Sequence, residues 1–400
     1  MGASPYEPHR VKPRCGPEKE SANVSVLMME YAESLSPWGW LSVLGQATGI
    51  TFRLVFKAGR ALLTRGTHDL SLHEYIAYVG MRDYQSGLSA VAIQNLLPST
   101  SKTCSRFANK HGIPFEVIQL PDATIANRLG PPSAKNVVIF FHGGGYMAPA
   151  LSEHASFAFG YGEYSTRDVA VYFLQYDLAS EHANHYPRQL QQAVSLLNHL
   201  TSSKQIPPGS ITLVGDSAGA HLLLSLLLHL KHPNPQVPQV EMNTPLGGAV
   251  LVSPWVQLQS SATSLETNKQ EDILSAPSLA YWAKNFLGDA VPDAWNSPLT
   301  APLEWWDDLP VKRILVTYGD KELLRDDAEK LCEILREHHA ETTALAFPGE
   351  LHVHMVMNRF LLIRKPCESE RAYVKWMRDQ IDGAPTSDGP AVVGVADQTV

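Results

Sequence analysis

Residues Gly215-Asp216-Ser217-Ala218-Gly219 lie between an apolar, β-branched run, Ile211-Thr212-Leu213-Val214, and a helix-like run from Ala220 to Leu230. Strand, sharp turn and helix in that order form a nucleophile elbow. Side chains flanking the serine in so tight a turn would clash, and glycine at Gly215 and Gly219 removes the clash. Ser217 is then presented at a strand end above a helix N-terminus, where developing negative charge is favoured. The chemistry this suits is acyl transfer to a serine hydroxyl. It requires a base, an acid that orients the base, and hydrogen-bond donors for the oxyanion.

The donors are expected in His142-Gly143-Gly144-Gly145-Tyr146, directly after a predicted strand ending at Phe141. Consecutive glycines let backbone N–H groups approach a substrate oxygen with no Cβ in the way. Gly143 and Gly144 are the expected donors, with the Ala218 N–H as the third. A glycine-rich turn after a strand is common by itself. One followed, after a further strand and helix, by a serine elbow is far more specific. His142 reads as support for the glycine loop and not as the base.

These motifs resemble the hormone-sensitive-lipase-like branch of the α/β-hydrolases, the carboxylesterases that carry His-Gly-Gly-Gly, and within it the fungal esterase and steryl-acetyl-hydrolase-like group. Tyr176-Asp177-Leu178-Ala179-Ser180-Glu181-His182, followed by Tyr186-Pro187, resembles the family's Tyr-Arg-Leu-Ala-Pro-Glu-His. It departs by Asp177 for Arg, Ser180 for Pro and a small insertion before Tyr186. Val252-Ser253-Pro254-Trp255 also fits. The resemblance runs from Asn136 to His354 and covers the N-terminal 110 residues only loosely. It implies an α/β-hydrolase fold and a triad in the order serine, acid, histidine.

The family's Asp-x-Leu-x-Asp pattern falls on Glu322-Leu323-Leu324-Arg325-Asp326, which puts Glu322 in the triad position. Asp320, nearer the strand end, is the competing acid. Asp326 and Asp327 are read as the start of the next helix, where acidic side chains suit the dipole. The family's Gly-x-x-His spacing, counted from Gly349, selects His352 as the base, with His354 as the alternative. The chain has 16 histidines, so His352 stands out by position alone. His338-His339 reads as capping at a helix end.

The implied activity is hydrolysis of a lipophilic carboxylic ester with a small or medium acyl group, such as an acetylated sterol or a secondary-metabolite intermediate, through an acyl-enzyme. An α/β-hydrolase-fold enzyme of acyl transfer or cyclisation is the alternative. A non-catalytic receptor on the same scaffold is a third reading. No metal or organic cofactor is expected: the chain has no Walker motif, no Gly-x-Gly-x-x-Gly after a strand and no His-Glu-x-x-His.

The elements that must position these groups alternate. Strands are predicted at Phe115–Leu120, Asn136–Phe141, Val169–Tyr176, Ile211–Val214, Ala249–Ser253, Arg313–Thr317 and Thr342–Phe347. Helices are predicted at Phe157–Ser165, Pro187–Leu200, Ala218–Leu230 and Asp326–His338. Short apolar strands alternating with helices predict a mostly parallel sheet with helices on both faces. Residues 1–22 are expected to be disordered and 23–110 to form a mainly helical cap. Residues 111–382 would form the catalytic domain, with a second, irregular cap element over 259–310 carrying Trp282, Trp295, Trp305 and Trp306. The tail 383–400 reads as flexible.

Four hundred residues, 44% of them hydrophobic, can bury a large core, and a net charge of −8 argues against nucleic acid as a partner. Cys15, Cys104, Cys332 and Cys367 are far apart and read as reduced thiols. Residues 1–20 lack the layout of a signal peptide, which favours an intracellular, cytoplasmic enzyme. Ser34 to Phe52 carries no charge and is followed by Arg53, Lys57 and Arg60 at helical spacing. The favoured reading is a cap helix over a lipophilic pocket, and the sharper one is a monotopic helix on a membrane surface. The sequence does not set the oligomeric state.

Overall fold

The computed structural model describes residues 31–63, 70–162 and 168–383. The expectations for residues 1–22, for Cys15, for the tail beyond Gly383 and for the end of the Phe157–Ser165 segment lie outside the described residues.

Eight strands form one sheet in the order β1-β2-β4-β3-β5-β6-β7-β8. They are β1 (Phe115–Gln119), β2 (Ile125–Leu129), β3 (Asn136–Phe141), β4 (Val169–Gln175), β5 (Ile211–Asp216), β6 (Gly248–Val252), β7 (Ile314–Gly319) and β8 (Thr342–Phe347). β1–β2 and β2–β4 are antiparallel and the remaining pairs parallel. Every residue of β4, β5, β6 and β7 is buried, as expected for strands covered on both faces. The edge strand β8 is only half-buried.

β2 is absent from the sequence-based expectation. Its Asn127 and Arg128 break the apolar run that marks the inner strands. The register explains their presence: Arg128 lies opposite Glu116 of β1 and donates to its carboxylate at 2.8 Å.

The helices are α1 (Pro37–Leu63), α2 (Leu72–Gly87), α3 (Ala90–Leu96), α4 (Thr100–His111), α5 (Ser152–Ala158), α6 (Arg188–Asn198), α7 (Ala218–Lys231), α8 (Ser264–Thr267), α9 (Ala276–Leu287), α10 (Arg325–His338), α11 (His354–Phe360) and α12 (Glu368–Asp382). Ser71, Ser89 and Ser99 cap α2, α3 and α4 by accepting main-chain N–H bonds. α5 begins and ends earlier than the predicted Phe157–Ser165, because Gly160 and Tyr161 adopt positive φ and stop it.

The segment 259–310 is less irregular than expected, since it contains α9. Of its four tryptophans only Trp282 lines the cavity above the sheet. Trp306 is fully buried in the core, and Trp305 packs on Trp295 and His232. Nor does α1 cover that cavity: its walls come from α2, α3, α9 and α11 together with the strand-end loops.

Candidate active site

Ser217 occupies the turn between β5 and α7 with φ of +52°, a strained conformation for a residue with a side chain. Both flanking glycines are required by packing. A Cβ at Gly219 would fall 1.9 Å from the Phe141 carbonyl oxygen, and one at Gly215 2.6 Å from the Gly219 main chain. Phe141 ends β3, which pairs with β5 in register Phe141↔Gly215. The close approach therefore clamps the glycine loop, which starts at His142, against the serine turn.

His352, in the loop between β8 and α11, brings Nε2 within 2.8 Å of Ser217 Oγ. Its Nδ1 stands 3.0 Å from Glu322 Oε2. The other carboxylate oxygen of Glu322 accepts from Gly319 N at 2.6 Å and from Ser253 Oγ at 2.7 Å. A carboxylate only accepts, so Nδ1 carries the imidazole proton and Nε2 is left to accept from the serine hydroxyl. All three side chains are buried. Burial opposes charge on His352, but the Glu322 hydrogen bond and charge, with Asp272 and Asp216 beyond, outweigh it and hold its pKa above the ordinary value.

The alternatives stand elsewhere. Asp320 Oδ1 accepts the Gly349 N–H at 2.7 Å and so braces the turn after β8. His354 Nδ1 accepts from Leu351 N at 3.2 Å, and its Nε2 faces Asn358, not Ser217.

The glycine loop corrects one expectation. The Gly143 N–H donates to Asp216 Oδ1 at 3.0 Å and is not available to a substrate oxygen. Asp216 Oδ2 accepts from His154 Nε2 at 3.2 Å. His154 Nδ1 already accepts from Leu151 N, which fixes the proton on Nε2. Among the described residues, the N–H groups of Gly144, Gly145 and Ala218 donate to no group of the protein. Gly144 and Gly145 have φ of +111° and +62°, and a Cβ at Gly145 would lie 2.6 Å from the Trp282 ring. His142 is buried beneath this loop, stacked on Tyr176, and burial drives its pKa down to about 3. It stays neutral, with Nδ1 donating to the Gly143 carbonyl at 2.8 Å.

Residues 138–356 match a family described as alpha/beta hydrolase fold. The chain belongs to this family. It is similar to an esterase of Acinetobacter venetianus, 28% identical over 240 residues, which are 60% of this chain and 74% of the relative. An acetyl-hydrolase of Streptomyces hygroscopicus is 29% identical over 219 residues, 54% of this chain and 67% of the relative. A solved esterase from the bacterial hormone-sensitive lipase family shares the fold with a TM-score of 0.58 at 22% identity, covering 78% of this chain and all of that one (100%). The chain is thus an enzyme of the α/β-hydrolase fold family.

Ser217 opens into a cavity of about 490 Å³ that also reaches His352 and Gly143 to Gly145. Its walls are mostly apolar, with Ile76 and Met81 from α2, Ile93 from α3, Trp282 from α9 and Met357 from α11. Among the described residues no group of histidine, cysteine, aspartate or glutamate is placed to hold a metal ion.

Three polar residues at this site carry no role in the sequence reading. Ser253, at the end of β6 with φ of +47°, donates to Glu322 and accepts from Val353 N at 2.9 Å. Asp216 sits inside the serine motif, yet nothing local says that it holds the glycine loop. Asp272 is fully buried and accepts from Leu323 N at 2.7 Å and His352 N at 3.1 Å. It ends the polar run Asn268-Lys269-Gln270-Glu271-Asp272, where its exposed neighbour Glu271 looks the same in sequence.

Proposed function

We propose that this chain is a serine carboxylesterase acting on a lipophilic, uncharged ester through an acyl-enzyme. The observation that carries this reading is the continuous hydrogen-bonded line from Glu322 through His352 to Ser217, opening on an apolar cavity. Ser217 attacks the ester carbonyl while His352 Nε2 takes the hydroxyl proton. Glu322 holds the imidazole in the required tautomer and stabilises its charge. The oxyanion donors are the N–H groups of Gly144, Gly145 and Ala218, since that of Gly143 is engaged by Asp216. The protonated His352 then passes its proton to the departing alcohol oxygen. Water, activated by the same imidazole, cleaves the acyl-serine.

The cavity lies within the usual size range for a small-molecule site, and its walls favour a bulky apolar substrate. A small acyl group is supported by similarity to an acetyl-hydrolase. An acetylated sterol or a comparable apolar metabolite would suit such a site.

The test is hydrolysis of p-nitrophenyl esters from acetyl to long acyl chains by the wild type and Ser217→Ala. Turnover of the short-chain esters is expected, with a loss of roughly 10⁶-fold in kcat on removal of the serine hydroxyl. Equal inertness of both proteins on every ester would overturn the reading.

A further inference from the structure

The helix α1 has an unusual surface. Its narrow packed side holds Val43 and Ile50, both buried, and sets Leu54 against Gly80 of α2. Lys57 on that side pairs with Asp83 at 2.8 Å. The opposite side is apolar and open to solvent: Trp38, Leu41, Leu44, Phe52, Val55 and Phe56 recur at helical spacing, with Trp38 and Phe52 80% and 79% exposed. Two exposed apolar clusters, Trp38 to Leu44 and Phe52 to Phe56, on one side of a helix of a folded protein mark a contact surface.

The charge of α1 bears on what covers it. The 27 residues of α1 include three basic side chains and no acidic one, in a chain whose net charge is −8. Arg53 and Arg60, both exposed and seven residues apart, run along one flank of the apolar side. An apolar side with a basic flank and tryptophan near its start complements an anionic lipid interface, where acyl chains take the apolar groups and phosphates the arginines. No helix among the described residues is long and apolar enough to cross a membrane. Since α2 holds the other side of α1, the helix is suited to lie in the plane of the surface. At Thr51, α1 touches the cavity wall. Thr51 Oγ1 is 3.2 Å from the hydroxyl of Tyr84, a cavity-wall residue that is itself exposed, as are Leu96 and Phe360 on the same wall.

We propose that α1 is an in-plane membrane-binding helix that seats the chain on an anionic lipid bilayer. This docking is independent of the reaction carried out in the cavity.

The experiment is co-sedimentation of the full chain with vesicles of phosphatidylcholine alone and of phosphatidylcholine mixed with phosphatidylserine. The wild type is expected to bind the mixed vesicles, and roughly tenfold more weakly without the anionic lipid. F52E/F56E, which alters only exposed α1 residues, should lose roughly 100-fold in partitioning while keeping the wild-type circular dichroism spectrum. L44S/V55S provides a second, uncharged test and should weaken binding in the same direction. Wild type that stays in the supernatant with both vesicle types overturns the proposal, as does binding that both variants leave intact. Light scattering that shows a dimer dissolved by F52E/F56E, with no vesicle binding by the wild type, would assign the surface to a second copy of the chain instead.

Discussion

Asp272 and His352 are joined through the main chain: the carboxylate Oδ1 of Asp272 accepts the His352 N–H at 3.1 Å, while Oδ2 accepts that of Leu323, the residue after Glu322. One buried carboxylate thus fixes the two loops that carry the proposed acid and base. Arg82 of α2 donates to the Asp272 carbonyl at 2.8 Å, so the cap is tied to the same point.

His352 must be neutral to accept a proton, so kcat/KM rises as pH climbs through its pKa. The raised pKa puts this acidic limb above the ordinary histidine value of about 6.5. The Asp272 charge is one of the causes, and Asp272→Asn should move the limb to lower pH as well as lowering kcat. A purely structural role for Asp272 would lower the rate without moving the limb. The pH profile of kcat/KM on a short p-nitrophenyl ester separates the two.

Glu322→Gln replaces the acceptor facing Nδ1 with a group that can stabilise the wrong tautomer. A fall of roughly 10⁴-fold in kcat is expected, with KM little changed. Asp320→Asn, which alters only a turn contact, should cost less than about tenfold. The reverse ranking would transfer the acid role to Asp320.

Asp216→Asn keeps one acceptor oxygen but sets an NH₂ group against either the Gly143 N–H or the proton on His154 Nε2. The glycine loop should shift, lowering kcat roughly 10- to 100-fold through misplaced oxyanion donors. KM should change much less. Steady-state kinetics read this directly, and unaltered kcat would remove Asp216 from the support of the loop.

Phe140 is fully buried in β3, edge-on to Phe157 and beside Phe173 with ring centroids 5.4 and 4.6 Å away. Phe140→Ala should destabilise the fold by about 3–5 kcal/mol. Denaturant unfolding followed by circular dichroism gives the value.

What the sequence determines by itself is local. The strand, glycine–serine turn and helix around Ser217, and the glycines after Phe141, are legible because steric demands between near neighbours dictate residue type. Alternation of buried strands and helices is legible for a similar reason: a strand covered on both faces must be mostly apolar, and β4 to β7 are. β2 and α9 escape this logic, since Arg128 is compensated by Glu116 from another strand and α9 follows a polar stretch.

The tertiary structure decides which of two nearby groups faces its neighbour, His352 or a main-chain N–H. Glu322 and Asp320 are two residues apart, and the choice rests on Ser253 and Gly319 closing around one carboxylate while Gly349 draws off the other. Gly143 and Gly144 are neighbours of the same type, but only Gly143 meets a carboxylate from 73 positions later. Asp272 reaches His352 across 80 positions. A hydrogen bond is set by distance and direction in space, and residue type at one position does not fix which distant group will meet it.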